Sequence, residues 1–334
     1  MTTEQILRRW ESFSHFTDAQ IEKLARCVEH RLLPAGTTVI KEGETTSDAF
    51  VIAAGGVRIQ RKTPYGLFTL ATLSPGQLFG ETGFVDGHSR SGDAVTIAET
   101  ALLALDGAAL ARRIEDDQGF SVAIYWTFWK SLSAKLRQTN EQLSRFFSET
   151  GKPAAAQPPT AKIATGEFRV DLAAKRKLFQ EQKLSSLEIN FLSSLSREKK
   201  FAPYQPIFRE GEPGHEMYVL LEGKVMISKF IPGAGEEALA FLERGDYFGE
   251  MALIDNAARS ADAKAHEGGA VVLAIPREVL EGILDIHKVS SPRLLKILCT
   301  LVAGRLRELD DKIIGWFILA GGSATGWPVD RRRA

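Results

Sequence analysis

Two glutamates and two arginines in this chain stand at matching distances inside matching surroundings. The cassette FGETGFVDGHSRSGDA begins at Phe79 and FGEMALIDNAARSADA begins at Phe248; in each, an Arg-Ser pair starts nine residues after the glutamate, setting Glu81 against Arg90 and Ser91, and Glu250 against Arg259 and Ser260. The chemistry suited to such a set is capture of a phosphodiester. That anion carries one negative charge and no easily removed proton, and a planar guanidinium offers two parallel hydrogen bonds to its free oxygens. Backbone amides at the start of a short helix after the glutamate, around Gly83-Phe84 and Ala252-Leu253, add donors and a favourable dipole. Gly83 and Ala252 are small enough to let a phosphate approach closely, and Gly80 and Gly249 permit the geometry of the turn. Phe79 and Thr82 in the first cassette, with Phe248 and Met251 in the second, complete the candidate site residues.

The elements that must position these groups are also written twice. Ile40-Lys41-Glu42-Gly43-Glu44 matches Phe208-Arg209-Glu210-Gly211-Glu212, and Phe50-Val51-Ile52 through Ile59 lines up with Tyr218-Val219-Leu220 through Ile227. The spacing then shifts by one residue, which places one extra residue in the second copy's hairpin around Pro232-Gly233-Ala234-Gly235. An internal repeat of this length fixes the architecture before any local reading does. A chain of 334 residues also divides naturally into two domains, at roughly 100 to 200 residues each.

Periodicity changes in the same order within each copy. Helical patterning comes first, with Thr17-Asp18 opening a run that puts Ile21, Leu24 and Val28 on one face. Short alternating strands follow, separated by Gly, Pro and Asp: 37–40, 48–53, 56–62, 67–73 and 94–105 in the first copy. Such strands predict a β-roll or small barrel. Helices return at 108–114 and 120–147, and in the second copy at 277–284 and 292–316. The second copy opens with helices at 168–180 and 185–195. Between the copies, residues 149–160 are rich in Pro and Ala and lack a hydrophobic face, which marks a linker.

This arrangement resembles the cyclic-nucleotide-binding domain family, and its two-in-a-row layout is similar to the regulatory subunits of cyclic-nucleotide-dependent protein kinases. The resemblance implies an α+β protein of two jelly-roll-like β-rolls, each flanked by N-terminal helices and a long C-terminal helix. The expected domains are residues 1–148 and 167–318, joined by the linker 149–166 and followed by a basic tail, 319–334. It implies that Arg90 and Arg259 bind the phosphate and that Glu81 and Glu250 accept the ribose 2'-hydroxyl proton. It also implies that Ser91 and Ser260 donate to the phosphate or touch the base. A cap on the base from the following helix is expected from Trp126, Trp129 or Lys130 in the first copy and from Arg305, Leu309 or Trp316 in the second, although Trp on an amphipathic helix is more often core. Asp93 and Asp262 are expected to orient the arginine or cap a strand. The cassettes differ: Gly83 and Gly92 loosen the first, and Ser89 and Ala258 stand where many relatives have proline.

Composition narrows the function. Lys plus Arg (42) balances Asp plus Glu (42), which gives no reason to expect a nucleic acid or anionic membrane partner. The six histidines show no metal-ligand spacing, and no kinase, cyclase or phosphodiesterase motif set is present. Residues 310–334 are too short for a DNA-reading module, and Arg8-Arg9-Trp10-Glu11 lies in an apparent helix rather than a flexible inhibitor arm. Cys27 and Cys299 are expected as reduced, buried thiols in helical segments, and the N-terminus lacks a secretory core. The expectation is a cytoplasmic, non-enzymatic receptor for cAMP, slightly ahead of cGMP, that signals to an effector protein by conformational change. The alternative is a scaffold whose pockets are empty or take another nucleotide such as cyclic di-GMP. The long helices either pair between chains as a homodimer or pack on their own barrels.

Overall fold

The computed structural model describes residues 2–148, 170–231, 235–284, 292–319, 321–322 and 329–330. The expected linker, the extra hairpin residue near Pro232–Ala234 and the arginines of the C-terminal tail lie outside the described residues.

The first repeat opens with helices α1 (Thr3–Leu7) and α2 (Asp18–Ala25), each started by a capping box in which Thr2 pairs with Gln5 and Thr17 with Gln20. Strands follow as β1 (Val28–Leu33), β2 (Thr38–Ile40), β3 (Ala49–Ala54), β4 (Val57–Thr63), β5 (Gly66–Leu73) and β6 (Leu78–Phe79). The turn helix α3 (Glu81–Asp86) leads to β7 (Asp93–Thr96), β8 (Thr100–Leu105), α4 (Gly107–Asp116) and the long α5 (Gln118–Ser148). The strands form two antiparallel sheets, one ordered β1-β8-β3-β6 and one in which β5, β4, β7 and β2 are successive neighbours. Alternate residues of both sheets, including Ile40, Phe50, Ile52, Val57, Phe79 and Leu102, meet in one buried cluster.

Two expectations need correcting here. Val28 does not continue the helical face of α2; it starts β1, pairing with Leu105 of β8, and Cys27 sits just beyond the helix. The single strand expected over residues 94–105 is broken into β7 and β8. The break faces Gly55, where an added Cβ would lie 2.4 Å from the Glu99 carbonyl oxygen.

The second repeat begins with α6 (Leu172–Glu181) and α7 (Ser186–Leu195), then β9 (Arg197–Phe201), β10 (Pro206–Phe208), β11 (Glu216–Ile231), β12 (Gly235–Leu242) and β13 (Tyr247–Phe248). The turn helix α8 (Met251–Ile254), β14 (Asp262–Pro276), α9 (Arg277–Leu284) and α10 (Pro292–Leu319) complete it. Here β11 and β14 each run unbroken where the first repeat has two strands, and they join β9, β10, β12 and β13 in one continuous sheet. Its core gathers Tyr218, Leu220, Val225, Phe248, Ala263 and Val272.

By packing, the chain divides into two compact units, Met1–Thr139 with Cys299–Ala334, and Asn140–Leu298. The C-terminal part of α10 therefore belongs to the unit of the first repeat, where Phe317 lies 4.8 Å from Phe68 between ring centroids. Cys27 and Cys299 are free, buried thiols. No helix among the described residues is long and apolar enough to cross a membrane.

Candidate functional site

Both cassettes are built on the same bend. Strand β6 is followed by Gly80 (φ +82°) and β13 by Gly249 (φ +75°), a left-handed conformation that costs glycine little. The bend turns the glycine carbonyl inward, toward the arginine that follows ten residues later in the chain. Arg90 Nη1 donates to Gly80 O at 2.6 Å and Nη2 to Asp48 O at 2.6 Å. In the second unit Arg259 Nη1 donates to Gly249 O at 2.5 Å and Nη2 to Glu216 O at 2.6 Å.

The repeated Glu-Gly-Glu loop explains itself at the same place. Gly43 N donates to Arg90 O (3.0 Å) and Arg90 N to Glu44 O (2.8 Å); Gly211 and Arg259 repeat the exchange with Glu212 at 2.9 and 2.8 Å. Asp93 accepts from the Glu42 amide at 2.8 Å, and Asp262 from the Glu210 amide at 2.6 Å. These aspartates therefore tether the loop; they do not orient the arginine side chain.

The charged groups are deep. Arg90 and Arg259 are each 5% exposed, Glu81 is 0% and Glu250 1% exposed. Burial is the largest influence on both guanidinium groups and pulls their pKa values below the ordinary arginine value, although a guanidinium stays protonated throughout. Neither arginine forms an ion pair among the described residues. Arg259 instead lies over the Phe208 ring at 4.3 Å and near the Tyr218 ring at 5.8 Å, contacts that favour a cation with little water around it.

The other expected residues take distinct places. Phe79 stacks on Phe50 at 5.0 Å and Phe248 on Tyr218 at 5.1 Å, both in the core beneath the bend. Gly83 lies against its own arginine, since a Cβ there would be 3.0 Å from Arg90 Nη1. Met251 and Ala252 are buried, and Ser260 Oγ donates to Met251 Sδ at 3.7 Å. Thr82 and Ser91 are half-buried at the rim of the first cassette.

The expected caps are not what the structure brings to the cassettes. Trp129 is fully buried, Trp126 meets it edge-on at 5.6 Å, and Lys130 pairs with Glu11 at 2.8 Å. From the next residue of α5, Ser131 Oγ donates to Glu81 Oε1 at 2.8 Å, and one turn beyond it Lys135 pairs with the same oxygen. Glu81 Oε2 is buried and has no partner among the described residues. Arg305, Leu309 and Trp316 belong to the unit of the first repeat. Within that unit it is Arg307 that grips the first cassette, through Asp86 Oδ2 at 2.6 Å, Asp86 Oδ1 at 3.2 Å and Ser89 O at 2.9 Å. In the second unit Arg277 braces α8 by donating to Leu253 O at 2.8 Å and Ala252 O at 2.9 Å. Sequence reading missed Ser131, Lys135, Arg277 and Arg307. The four-residue interval from Ser131 to Lys135 puts both on one helix face, but only packing decides which face meets the cassette.

Each unit is a β-roll that holds a buried arginine and glutamate around a glycine bend and a short helix. The model of the cyclic nucleotide-binding domain family matches residues 30–117 and 198–287, more than half of the chain, and the chain belongs to that family. It is 27% identical over 274 residues to the cGMP-dependent protein kinase of Eimeria tenella, covering 81% of this chain and 22% of the kinase. The chain thus spans about a fifth of the length of that relative. It is 31% identical over 142 residues to the CRP-like cAMP-activated global transcriptional regulator of Mycobacterium tuberculosis, covering 42% of this chain and 62% of the regulator. Among solved structures, the regulatory domain of Toxoplasma gondii PKA with cAMP is similar at 18% identity and a TM-score of 0.33, covering 94% of this chain and 96% of that one.

Proposed function

We propose that the chain is a cytoplasmic cyclic-nucleotide receptor, binding one nucleotide in each domain and passing the bound state to an effector protein by conformational change. The observation that carries this reading is a guanidinium buried to 5% exposure in each unit, whose hydrogen-bond acceptors among the described residues are all neutral. A charge taken out of water is costly unless it is paired, and a cyclic phosphodiester supplies one compact negative charge in a geometry that guanidinium nitrogens match. Glu81 and Glu250, equally deep, supply the acceptor for a ribose hydroxyl. A ligand shifts a conformational equilibrium only by binding one state better than the other, and the contacts from Ser131 and Lys135 to Glu81 are ones that ribose binding would exchange.

Both cyclic purine nucleotides fit the phosphate and ribose chemistry. We place cAMP slightly ahead of cGMP; relatives described as cAMP-activated and as cGMP-dependent both occur. A second reading, in which the first domain is an interaction scaffold with a closed pocket, is favoured by the engagement of Glu81 with Lys135.

Calorimetric titration of nucleotide-stripped protein with cAMP, cGMP and cyclic di-GMP tests these readings. Saturable binding near two per chain is expected for cAMP or cGMP. One site per chain, lost on Arg259→Ala, favours the scaffold reading for the first domain. Absence of binding to all three ligands overturns the receptor.

A further inference from the structure

The two arginines differ by one hydrogen bond, and the difference traces to one aligned position. The third residue after the loop glycine is Thr46 in the first repeat and Gly214 in the second. Thr46 Oγ1 accepts from Arg90 Nε at 3.0 Å, so every nitrogen of that guanidinium group already has a partner. Gly214 presents no side chain, and Arg259 Nε is buried without a hydrogen bond among the described residues. Gly214 packs directly against the arginine, and no side chain fits there without a shift: a Cβ on it would lie 3.0 Å from Arg259 Nε, 2.9 Å from Arg259 Cζ and 2.4 Å from Ala252 Cβ.

The physical consequence is unequal readiness for an anion. A buried donor left unpaired is costly, and a phosphate oxygen arriving at Arg259 Nε removes that cost while forming a charge-assisted bond. At Arg90 the same oxygen must first displace the Thr46 hydroxyl, so part of the gain is cancelled.

We infer that the residue at positions 46 and 214 sets the affinity order of the two domains: Gly214 leaves the second site poised for a cyclic phosphodiester, and Thr46 holds the first as a weaker site. This rests on the receptor reading above and deepens it, since Thr46 acts as a positioning residue through Arg90 and does not read the base.

The test uses full-length protein with one site at a time silenced, Arg259→Ala leaving the first site and Arg90→Ala leaving the second. Calorimetry with cAMP and with cGMP should find the second site at least tenfold tighter. In the Arg259→Ala chain, Thr46→Gly is expected to tighten the first site about tenfold, or about 1.4 kcal/mol. The gain should be equal for both nucleotides because both present the same phosphate, and Thr46→Ser, which restores the hydroxyl, should return the weak value. In the Arg90→Ala chain, Gly214→Ser is expected to weaken the second site by a similar factor. Because an added Cβ is crowded there, the Thr46→Gly result decides the matter if that variant does not fold. Equal affinities at the two sites, or a folded Thr46→Gly chain with unchanged affinity, would overturn the inference and leave the receptor standing. No binding by any chain, unsubstituted protein included, would overturn both.

Discussion

Arg90 and Arg259 hold equivalent pairs of carbonyls, yet the cassettes around them are secured by different parts of the chain. The first is gripped at three points: Thr46 on the arginine, Lys135 and Ser131 on the glutamate, and Arg307 on Asp86 and Ser89. The second has Arg277 bracing the carbonyls of α8, aromatic rings beneath Arg259 and one guanidinium nitrogen without a hydrogen bond among the described residues. A repeated motif therefore conserves the shape of a bend without conserving its energetics. Side chains supplied by loops and following helices decide whether the bend waits open or is already engaged.

The largest expected effect is on ligand binding. Removing one partner of a buried charged contact costs about 2 to 5 kcal/mol, so Arg259→Ala should weaken the second site by roughly one to three decades or more. Arg90→Ala should cost less, because its site starts weaker. Calorimetry on both variants checks the order, and a greater loss at Arg90 would break the comparison.

Lys135→Met addresses the carboxylate side. It leaves Glu81, fully buried, with Ser131 alone, and stranding a buried charge typically costs about 3 kcal/mol or more. Denaturant unfolding should show that loss, and the double variant Glu81→Gln/Lys135→Met should recover most of it. A single variant of unchanged stability would mean the pair is not a structural lock.

Arg307→Ala removes the bidentate hold on Asp86 and the bond to Ser89 O. The expected loss is about 1 to 3 kcal/mol, with faster amide hydrogen exchange over residues 83–90 and no change over 252–259. Equal acceleration in both cassettes would show that the grip is not specific to the first.

A pH dependence is expected in the first unit. Burial raises the pKa of Asp310 from 3.8 to about 7, against the opposing influence of Arg61, Lys135 and Arg307 and reinforced by Asp311. The folded chain then holds this proton more tightly than the unfolded one, so the contribution is fully present below about pH 4, falls as pH rises toward about 7, and is level above. Asp310→Asn should raise the unfolding midpoint at pH 8 and leave it unchanged at pH 4. A gain of equal size at both pH values would contradict the assignment.

Much of the fold was legible because glycines and prolines punctuate strands of alternating polarity, and the helices over 277–284 and 292–316 showed their apolar period plainly. Strand β1 was not legible. Val28-Glu29-His30-Arg31-Leu32-Leu33 follows a capped helix in register with its apolar face, and only pairing with β8 makes it extended. At the site, the glycine bend and the arginine were readable as a spaced motif. Lys135 and Arg307 were not, since each is one cation among many on a long helix. The exchange of Thr46 for Gly214 was visible in the aligned repeats, but its meaning needed the arginine's hydrogen bonds.

Sequence by itself determined that this chain carries two copies of one β-roll, each with a glutamate, an arginine and a glycine bend at fixed intervals. Those features are local: spacing along a strand and turn sets them, and duplication makes them unmistakable. Only the tertiary structure decided which donors are already engaged, because Thr46, Lys135 and Arg307 lie 44, 54 and 221 residues from the groups they hold. Contacts across such separations depend on how sheets and helices pack, and no periodicity in the chain records them.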